Sequence, residues 1–296
     1  MNDNAMDVAA DLRMSLGECP VWSVERQTLY WVDINNGHIY AWRPDCGDVP
    51  HRFTLDEKVG CIALCDGGLV AATASGILRL RLPPSGEPER LVANPEWLGN
   101  AGNRFNDGRC DAAGRFWAGT IAFDEASPVA SLYCLEQGRL TSHRSKISIS
   151  NGLAFSPDWR WLYHTDSVSR RILRYPFDVD SGATGIAETW VDLDALELPG
   201  VPDGAAVDCD GYYWAALYGG GQVVRFSPEG NLVASYGVPC PHPTMVAFGG
   251  PELQTLYVTT ATQHLDAEAL RRWPRAGNLL RMPAPTAGLP EPGFAG

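Results

Sequence analysis

Three oxygen-bearing side chains in this sequence occupy the same place in a repeated strand pattern. Glu18, Asn151 and Asp203 each precede the end of an apolar or aromatic strand by about the same number of residues. Two carboxylates and an amide oxygen, with no histidine or cysteine among them, are donors that suit a hard divalent cation. The pattern therefore predicts one divalent metal ion held by these three side chains.

An ordinary explanation exists for each residue taken singly. Asn151 and Asp203 each precede a glycine, and Asn-Gly and Asp-Gly pairs are frequent in turns. The metal hypothesis depends on the coincidence of both residues with Glu18 at one register position. The same counting places three further residues around that ring: Val59, Asn106 and Met245.

The strand pattern that sets this register recurs along the chain. Its clearest copy is residues 150–166, where an apolar run, a Ser-Pro-Asp turn and an aromatic strand follow one another. The other copies are Glu18–Asp33, Gly60–Thr73, Asn106–Thr120, Asp203–Leu217 and Thr244–Thr260. Their second strands carry anchor residues spaced roughly 40 to 50 residues apart, the period of propeller blades. The anchors are Trp31, Ala71, Trp117, Tyr163, Trp214 and Tyr257.

These repeats predict an all-β fold, a six-bladed β-propeller forming a single domain over residues 1–296. We expect an ordered core over about residues 7–282, with residues 7–14 pairing with residues 277–282 to close the ring. Residues 262–275 have helical character and should form an excursion on one rim. The segment 283–296 is rich in proline and glycine, and we expect it to be a tail that buries nothing.

Composition narrows the class of protein. The net charge of −12 argues against nucleic acid as a partner, since phosphate binding requires a basic face. No apolar run is long enough for a membrane span, and the N-terminal residues do not resemble a signal peptide. Eight cysteines form no CxxC pair and mostly lie in expected core strands, as free thiols do. A cytoplasmic monomer with no membrane partner is the expectation.

Motifs for other hydrolytic chemistries are missing from the sequence. There is neither a GxSxG nucleophile elbow nor an HExxH zinc motif. His164 lies on an expected strand and is interpreted as a packed or rim residue. Gly219–Gly221 is interpreted as a hairpin turn, and Lys58 and Lys146 as solvated surface.

Five short motifs, in order, resemble those of one family. They are LGECP at Leu16–Pro20, NRFNDG at Asn103–Gly108, ISNGL at Ile149–Leu153, PDG at Pro202–Gly204 and FGG at Phe248–Gly250. Together they are similar to the gluconolactonase family, which includes regucalcin and luciferin-regenerating enzyme. The resemblance extends from about Leu12 to Arg281, and the C-terminal part looks most like bacterial pentonolactonases. Cys19 departs from the family pattern, in which glycine is commoner.

The resemblance implies a metal-dependent sugar lactonase with the metal on residues matching Glu18, Asn151 and Asp203. It also implies that Arg104 and Asn106 hydrogen-bond the substrate, with Asp124 at the place of a further acidic sugar contact. The expected reaction is hydrolysis of a pentono- or hexonolactone to its aldonic acid, in oxidative sugar catabolism.

The physical chemistry of that reaction suits these residues. A divalent ion (Ca²⁺, Mn²⁺, Fe²⁺ or Zn²⁺) acts as a Lewis acid on the lactone carbonyl. Asp203 is the best candidate for the base that takes a proton from water. Two alternatives remain open: a metal-dependent phosphotriesterase or arylesterase on the same fold, favoured by an apolar pocket, and a non-catalytic ligand-binding propeller.

Overall fold

Six antiparallel sheets of four strands each form the fold in the computed structural model, which describes residues 6–82, 87–99 and 102–296. Each sheet is one propeller blade, so the predicted six-bladed, all-β architecture is confirmed. Blade 1 contains β2 (Gly17–Ser23), β3 (Thr28–Asp33), β4 (His38–Trp42) and β5 (His51–Thr54). Blade 2 contains β6 (Val59–Cys65), β7 (Gly68–Thr73), β8 (Gly76–Arg81) and β9 (Glu89–Ala93). Blade 3 contains β10 (Arg104–Cys110), β11 (Phe116–Ile121), β12 (Ala130–Glu136) and β13 (Arg139–Ile147).

The remaining blades follow in chain order, and the last one joins the two ends of the chain. Blade 4 contains β14 (Ser150–Phe155), β15 (Trp161–Asp166), β16 (Arg171–Pro176) and β17 (Glu188–Asp192). Blade 5 contains β18 (Val201–Val207), β19 (Tyr213–Tyr218), β20 (Gln222–Phe226) and β21 (Leu232–Gly237). Blade 6 contains β22 (Pro243–Gly249), β23 (Thr255–Thr260), β24 (Leu279–Pro283) and β1 (Asp7–Ala10).

Pairing of β1 with β24 closes the ring as expected. Asp7 lies opposite Arg281 and Val8 opposite Leu280, so the first strand of the chain becomes the outer strand of blade 6. This pairing covers the outer edge of β24 and gives blade 6 four strands, as in the other blades. The predicted rim excursion contains the short helix α1 (Ala267–Arg272), which Asp266 caps at its N-terminus. At six residues, this one α-helix of the described ranges is far too short to cross a bilayer.

The anchor residues lie where the repeat predicts. Trp31, Trp117 and Trp214 all occupy second strands, and each is fully buried. Trp117 and Trp214 donate their indole N–H to Asp111 and Asp208, the aspartates six residues before them. These buried aromatic side chains fill the space between neighbouring sheets, where each sheet hides the face it cannot bury alone.

The fourth strand of each blade was not part of the prediction, which recognised only two or three strands per repeat. The outer strands are largely exposed, as in β13, where most of Arg139–Ile147 faces solvent. A solvent-facing edge strand has little need for apolar residues, and so it lacks the hydrophobic alternation that marks the inner strands.

Every blade has an irregularity between its first and second strands at the same level of the ring. The pairing register shifts just after Glu18, Val59, Phe105, Asn151, Pro202 and Pro243. A bulge of this kind bends the strand and re-aims one side chain. In blade 1 the residue after Glu18 is Cys19, whose φ of 47° lies in the left-handed region. That backbone conformation explains why glycine suits this position.

The C-terminal segment 283–296 differs from the expected tail that buries nothing, because it packs along the propeller. Gly288 pairs with Asp208 of blade 5, and Phe294 pairs with Cys65 of blade 2 and is buried. Between them, Glu291 forms an ion pair with Arg109 on the inner strand of blade 3. Cys65 and Arg109 lie at the far ends of inner strands whose beginnings carry the candidate site residues. The segment therefore covers the opposite end of the central channel.

Removing the buried end of this segment should destabilise the fold. We expect Phe294→Ala to lower the free energy of unfolding by about 3 kcal/mol, the low end for a buried phenylalanine, because the segment can partly resettle. Leu289→Ala, at an exposed position of the same segment, is the matched control and should cost under about 1 kcal/mol. Chemical denaturation followed by tryptophan fluorescence measures both, and equal stabilities would contradict the packing described here.

Candidate active site

Five of the sequence-predicted residues line one pocket at the axis. Glu18 comes from blade 1, Arg104 and Asn106 from blade 3, Asn151 from blade 4 and Asp203 from blade 5. All five lie at the beginning of an inner strand, next to the register shift that turns side chains towards the axis. The repeat register therefore placed Glu18, Asn106, Asn151 and Asp203 together from distant parts of the chain, and the family resemblance added Arg104.

Asp124 is not among them, and the acidic residue in the pocket is its neighbour Glu125. The Asp124 carboxylate accepts hydrogen bonds from the backbone N–H groups of Ala126 and Ser127, and this caps its own turn. Together with the Ser127 hydroxyl, these donors lower the pKa of Asp124 to about 2. Glu125 instead lines both the axial pocket and the cleft outside it. Loop register carries no periodicity from which this difference could be predicted, and a sugar contact by Asp124 stays a prediction.

The carboxyl groups of Glu18 and Asp203 are buried close to one another. Burial and then the nearby Asp107 raise the pKa of Glu18 to about 8. Burial and then Glu18 raise the pKa of Asp203 well above its usual range. Among the described residues, neither carboxylate has an Arg, Lys or His side chain within 4.0 Å. Two buried like charges without a paired cation suit a bound divalent ion, which would offset their repulsion.

The third donor is an amide, held in a fixed orientation. Asn151 Nδ2 donates to Ser167 Oγ at 2.9 Å, and Asn151 Oδ1 accepts from Asn106 Nδ2 at 2.8 Å. This second contact leaves one lone pair of Oδ1 available. The described ranges contain no group of three or more His, Cys, Asp or Glu side chains placed to hold a metal. A cation here would therefore depend on the Asn151 oxygen as well as the two carboxylates, and the metal site stays a prediction.

A chain of hydrogen bonds links the inner strands of three blades. Arg104 Nη1 donates to Asn106 Oδ1 at 2.8 Å, and Asn106 Nδ2 donates to Asn151 Oδ1. From Asn151 the chain passes to Ser167 Oγ, which donates to the Pro202 carbonyl at 2.8 Å, directly before Asp203. Each link has one donor and one acceptor, so the chain fixes which way both amides face.

These hydrogen bonds change the role that is expected of Asn106. Its Nδ2 donates to the Ser150 carbonyl at 3.1 Å as well as to Asn151, which uses both of its donors. Asn106 can therefore only accept a hydrogen bond from a substrate, through the free lone pair of Oδ1. Its main contacts position Arg104 and Asn151, and a direct substrate contact stays a prediction.

The axial pocket continues into a wider cleft of about 910 Å³. Arg104, Ile121, Glu125 and Gln263 line both spaces. The size suits a small organic ligand. Lys58, interpreted from the sequence as solvated surface, is exposed but lies on this cleft. The pocket is also lined by residues at or after the ends of second strands, which were missed because they lie outside the repeat position that was counted: Ser167, Tyr218, Gln263 and His264.

A serine–histidine pair lies nearby but is sealed in the fold. Ser150 Oγ and His164 Nε2 are 2.7 Å apart, and both residues are buried. Burial lowers the pKa of His164 to about 3, and neither residue lines the pocket. The prediction that His164 is a packed residue is confirmed, and the pair has no access to a substrate.

Ser167 offers a test of the hydrogen-bond chain. We expect Ser167→Ala to weaken divalent-metal binding or lactone hydrolysis by about tenfold to a hundredfold, as loss of an outer-sphere partner does. The control is Ser169→Ala in the same turn, whose hydroxyl bonds only the Asp166 carbonyl and the Arg171 N–H. Titration calorimetry and initial rates measure both effects, and equal behaviour of the two variants would show that the chain does not position Asn151.

Known proteins share both the sequence and the architecture. Residues 16–262 match the model of the SMP-30/Gluconolactonase/LRE-like region. A 6-deoxy-6-sulfogluconolactonase of Pseudomonas putida is 42% identical over 284 residues, covering 95% of each chain. A pentonolactonase of Haloferax volcanii is 34% identical over 294 residues, also covering 95% of each chain.

Solved structures agree with this assignment. A calcium-binding protein, regucalcin, from Agrobacterium tumefaciens superimposes with a TM-score of 0.92 at 29% identity, covering 98% of this chain and 97% of that one. A luciferin-regenerating enzyme superimposes with a TM-score of 0.86 at 31% identity, covering 99% and 98%. The family resemblance drawn from the five motifs is thereby confirmed, and this chain belongs to the SMP-30/gluconolactonase/LRE-like family of sugar lactone hydrolases.

Proposed function

We propose that this protein hydrolyses a sugar aldonolactone to the aldonic acid with the help of one divalent metal ion. The observation that carries the proposal is the meeting of Glu18, Asn151 and Asp203 with Arg104 in one buried axial pocket. The C-terminal segment covers the other end of the channel, which leaves the cleft as the proposed route for the substrate. The names of the lactonase relatives support the same reaction class.

Glu18, Asn151 and Asp203 would hold the ion, which when bound supplies Lewis-acid polarisation of the lactone carbonyl. Their chemistry fits, since two carboxylates and one amide oxygen are hard donors that leave room for a ligand. Family membership and the calcium-binding structural relative support a divalent ion without specifying which one.

Asp203 is the proposed base. Its carboxyl group lines the axial pocket together with Glu18 and Asn151, which puts a proton acceptor beside the place proposed for the lactone carbonyl. The attacking water would transfer a proton to this carboxylate as its oxygen bonds to the carbonyl carbon. Asp203 then returns the proton to the ring oxygen as the C–O bond breaks, so the product is the open hydroxy acid.

Arg104 and Glu125 are the proposed substrate contacts. Arg104 uses Nη1 for the Phe105 carbonyl and Asn106, which holds its guanidinium in place against the pocket. Its other nitrogens are then available to hydroxyl groups or to a developing oxyanion. Glu125 accepts from sugar hydroxyls, while Ile121 and Val201 provide apolar surface for C–H faces. This mixture suits a polyol better than an aryl ester.

The size of the lactone is a finer part of the proposal. The relative with 42% identity is named for a six-carbon lactone with a sulfonate at carbon 6, and the one with 34% identity for pentonolactones. The cleft outside the axial pocket offers room for a six-carbon chain with a terminal substituent. We therefore propose a hexonolactone as the preferred substrate.

Metal removal tests the centre of the mechanism. Chelator-treated protein should lose lactone hydrolysis and regain it on addition of a divalent ion, followed with a pH indicator on a panel of aldonolactones. Asp203→Ala should abolish the reaction most completely, since it deletes a ligand and the base together. Asn151→Asp should retain the metal, because the negative charge that it adds to the ligand oxygen compensates for the lost donation from Nδ2 to Ser167 Oγ. Full activity of metal-free protein would disprove metal dependence.

Arg104→Ala tests the substrate contact separately. Loss of a charge-assisted hydrogen bond costs about 1.5–3 kcal/mol, so kcat/KM should fall about tenfold to a hundredfold. Metal content should remain, because Asn106 stays tied to the Ser150 carbonyl and to Asn151. Arg139→Ala, at an exposed position on β13, serves as the control. Metal loss in the Arg104 variant, or full activity, would remove Arg104 from the binding site.

A further inference from the structure

Two cationic side chains lie at the mouth of the site on neighbouring blades. Lys58 directly precedes the inner strand of blade 2, and Arg104 begins the inner strand of blade 3. These strands approach closely, because a Cβ added at Gly60 would lie 2.2 Å from the Phe105 carbonyl oxygen. The Lys58 backbone is held by the Ala74 N–H, which donates to the Lys58 carbonyl at 2.9 Å. Both side chains line the same cleft.

Neither cation is neutralised by a close carboxylate. Within the residues that the structure describes, no Asp or Glu oxygen lies within 4.0 Å of the Lys58 ammonium or the Arg104 guanidinium. The acidic residues of the cleft are Asp56, Glu57 and Glu125. Both carboxylate oxygens of Glu57 accept hydrogen bonds from Ser75, one from its N–H at 2.7 Å and the other from its hydroxyl at 2.9 Å.

The two cations also affect each other. Partial burial, and then the positive charge of Arg104, lower the pKa of Lys58, while Glu125 raises it. Burial lowers the pKa of Arg104 to about 10, against the opposing effect of Glu125. Two like charges held together in a partly buried cleft are unfavourable, and an anion between them would relieve the repulsion.

The positions of these groups around the ring indicate how a bound substrate would be oriented. The candidate metal ligands come from blades 1, 4 and 5, whereas Lys58 and Arg104 come from blades 2 and 3. Because the axial pocket and the cleft that Lys58 lines share Arg104, a substituent that projects from the ring of a lactone bound at Asp203 can reach that cleft. In a six-carbon lactone, carbon 6 lies outside the ring and can carry such a substituent.

We propose that Lys58, together with the free donors of Arg104, forms an anion subsite for a sulfonate or phosphate group on carbon 6 of the lactone. This inference rests on the proposed lactonase function and specifies its substrate class. Sulfonate and phosphate share three terminal oxygens around a tetrahedral centre, so both fit a pair of cationic donors. Lys58 is a binding residue only and has no part in bond breaking.

The experiment compares three substrates: the lactone of 6-deoxy-6-sulfogluconate, 6-phosphogluconolactone, and the neutral glucono-1,5-lactone. Lys58→Gln should lower kcat/KM for the two anionic lactones by about tenfold, mainly through KM, because a charge-assisted contact is lost. The neutral lactone should change by less than about twofold. Lys146→Gln removes the other lysine of the chain, which is exposed on β13, and is the charge-matched control.

The possible outcomes distinguish the anion subsite from the lactonase function on which it rests. If the wild-type protein hydrolyses the neutral lactone but Lys58→Gln affects all three substrates equally, or none, the subsite is disproved and the lactonase function stands. If metal-loaded wild-type protein hydrolyses none of the three, both proposals fall together. Selective loss on the anionic lactones supports the subsite, and the better of the two anionic substrates then identifies the natural group as sulfonate or phosphate.

Discussion

The inner strands of neighbouring blades touch backbone to backbone, and this close approach is the constraint on which the site depends. A Cβ at Gly60 would lie 2.2 Å from the Phe105 carbonyl oxygen, and the backbone of Gly204 packs against a side chain, since a Cβ there would lie 2.4 Å from Met245 Cβ. Only glycine permits such contact. Because the strands converge this tightly, side chains that begin them meet around a narrow axis. Residues nearly 200 positions apart thereby become neighbours.

The inner strands also share a register shift, which keeps the axis from being filled with side chains where the strands converge. In blades 1, 4 and 5 this shift lies next to Glu18, Asn151 and Asp203, respectively. The shift re-aims one residue per blade while the rest of the strand keeps its apolar contacts. The same geometry buries two carboxyl groups together, which the protein alone does not neutralise. The pocket therefore suits the proposed divalent ion, and the fold supplies the stability that offsets the cost of burying both carboxyl groups.

The six blades are equivalent in architecture but not in chemistry. Blades 1, 4 and 5 contribute the candidate metal donors, blades 2 and 3 the two cations, and blade 6 the apolar Met245 next to Gly204. Hydrogen bonds through Asn106 and Ser167 connect blades 3, 4 and 5. At the opposite end, Glu291 and Phe294 of the C-terminal segment cover the channel. The result is a pocket open on one side, whose groups differ around its circumference.

Sequence reasoning alone could predict the blade number, the inner strands and the ring of candidate site residues. These features follow from a period: buried strands need alternating apolar residues, and equal spacing puts Glu18, Asn151 and Asp203 at one level. The outer strands had no such signal because they face solvent. Three features became visible only in the folded chain: Glu125 and not Asp124 lines the cleft, Lys58 lies on the same cleft as Arg104, and Phe294 is buried. Loops and the C-terminal segment take their positions from contacts distant in sequence, which no local pattern encodes.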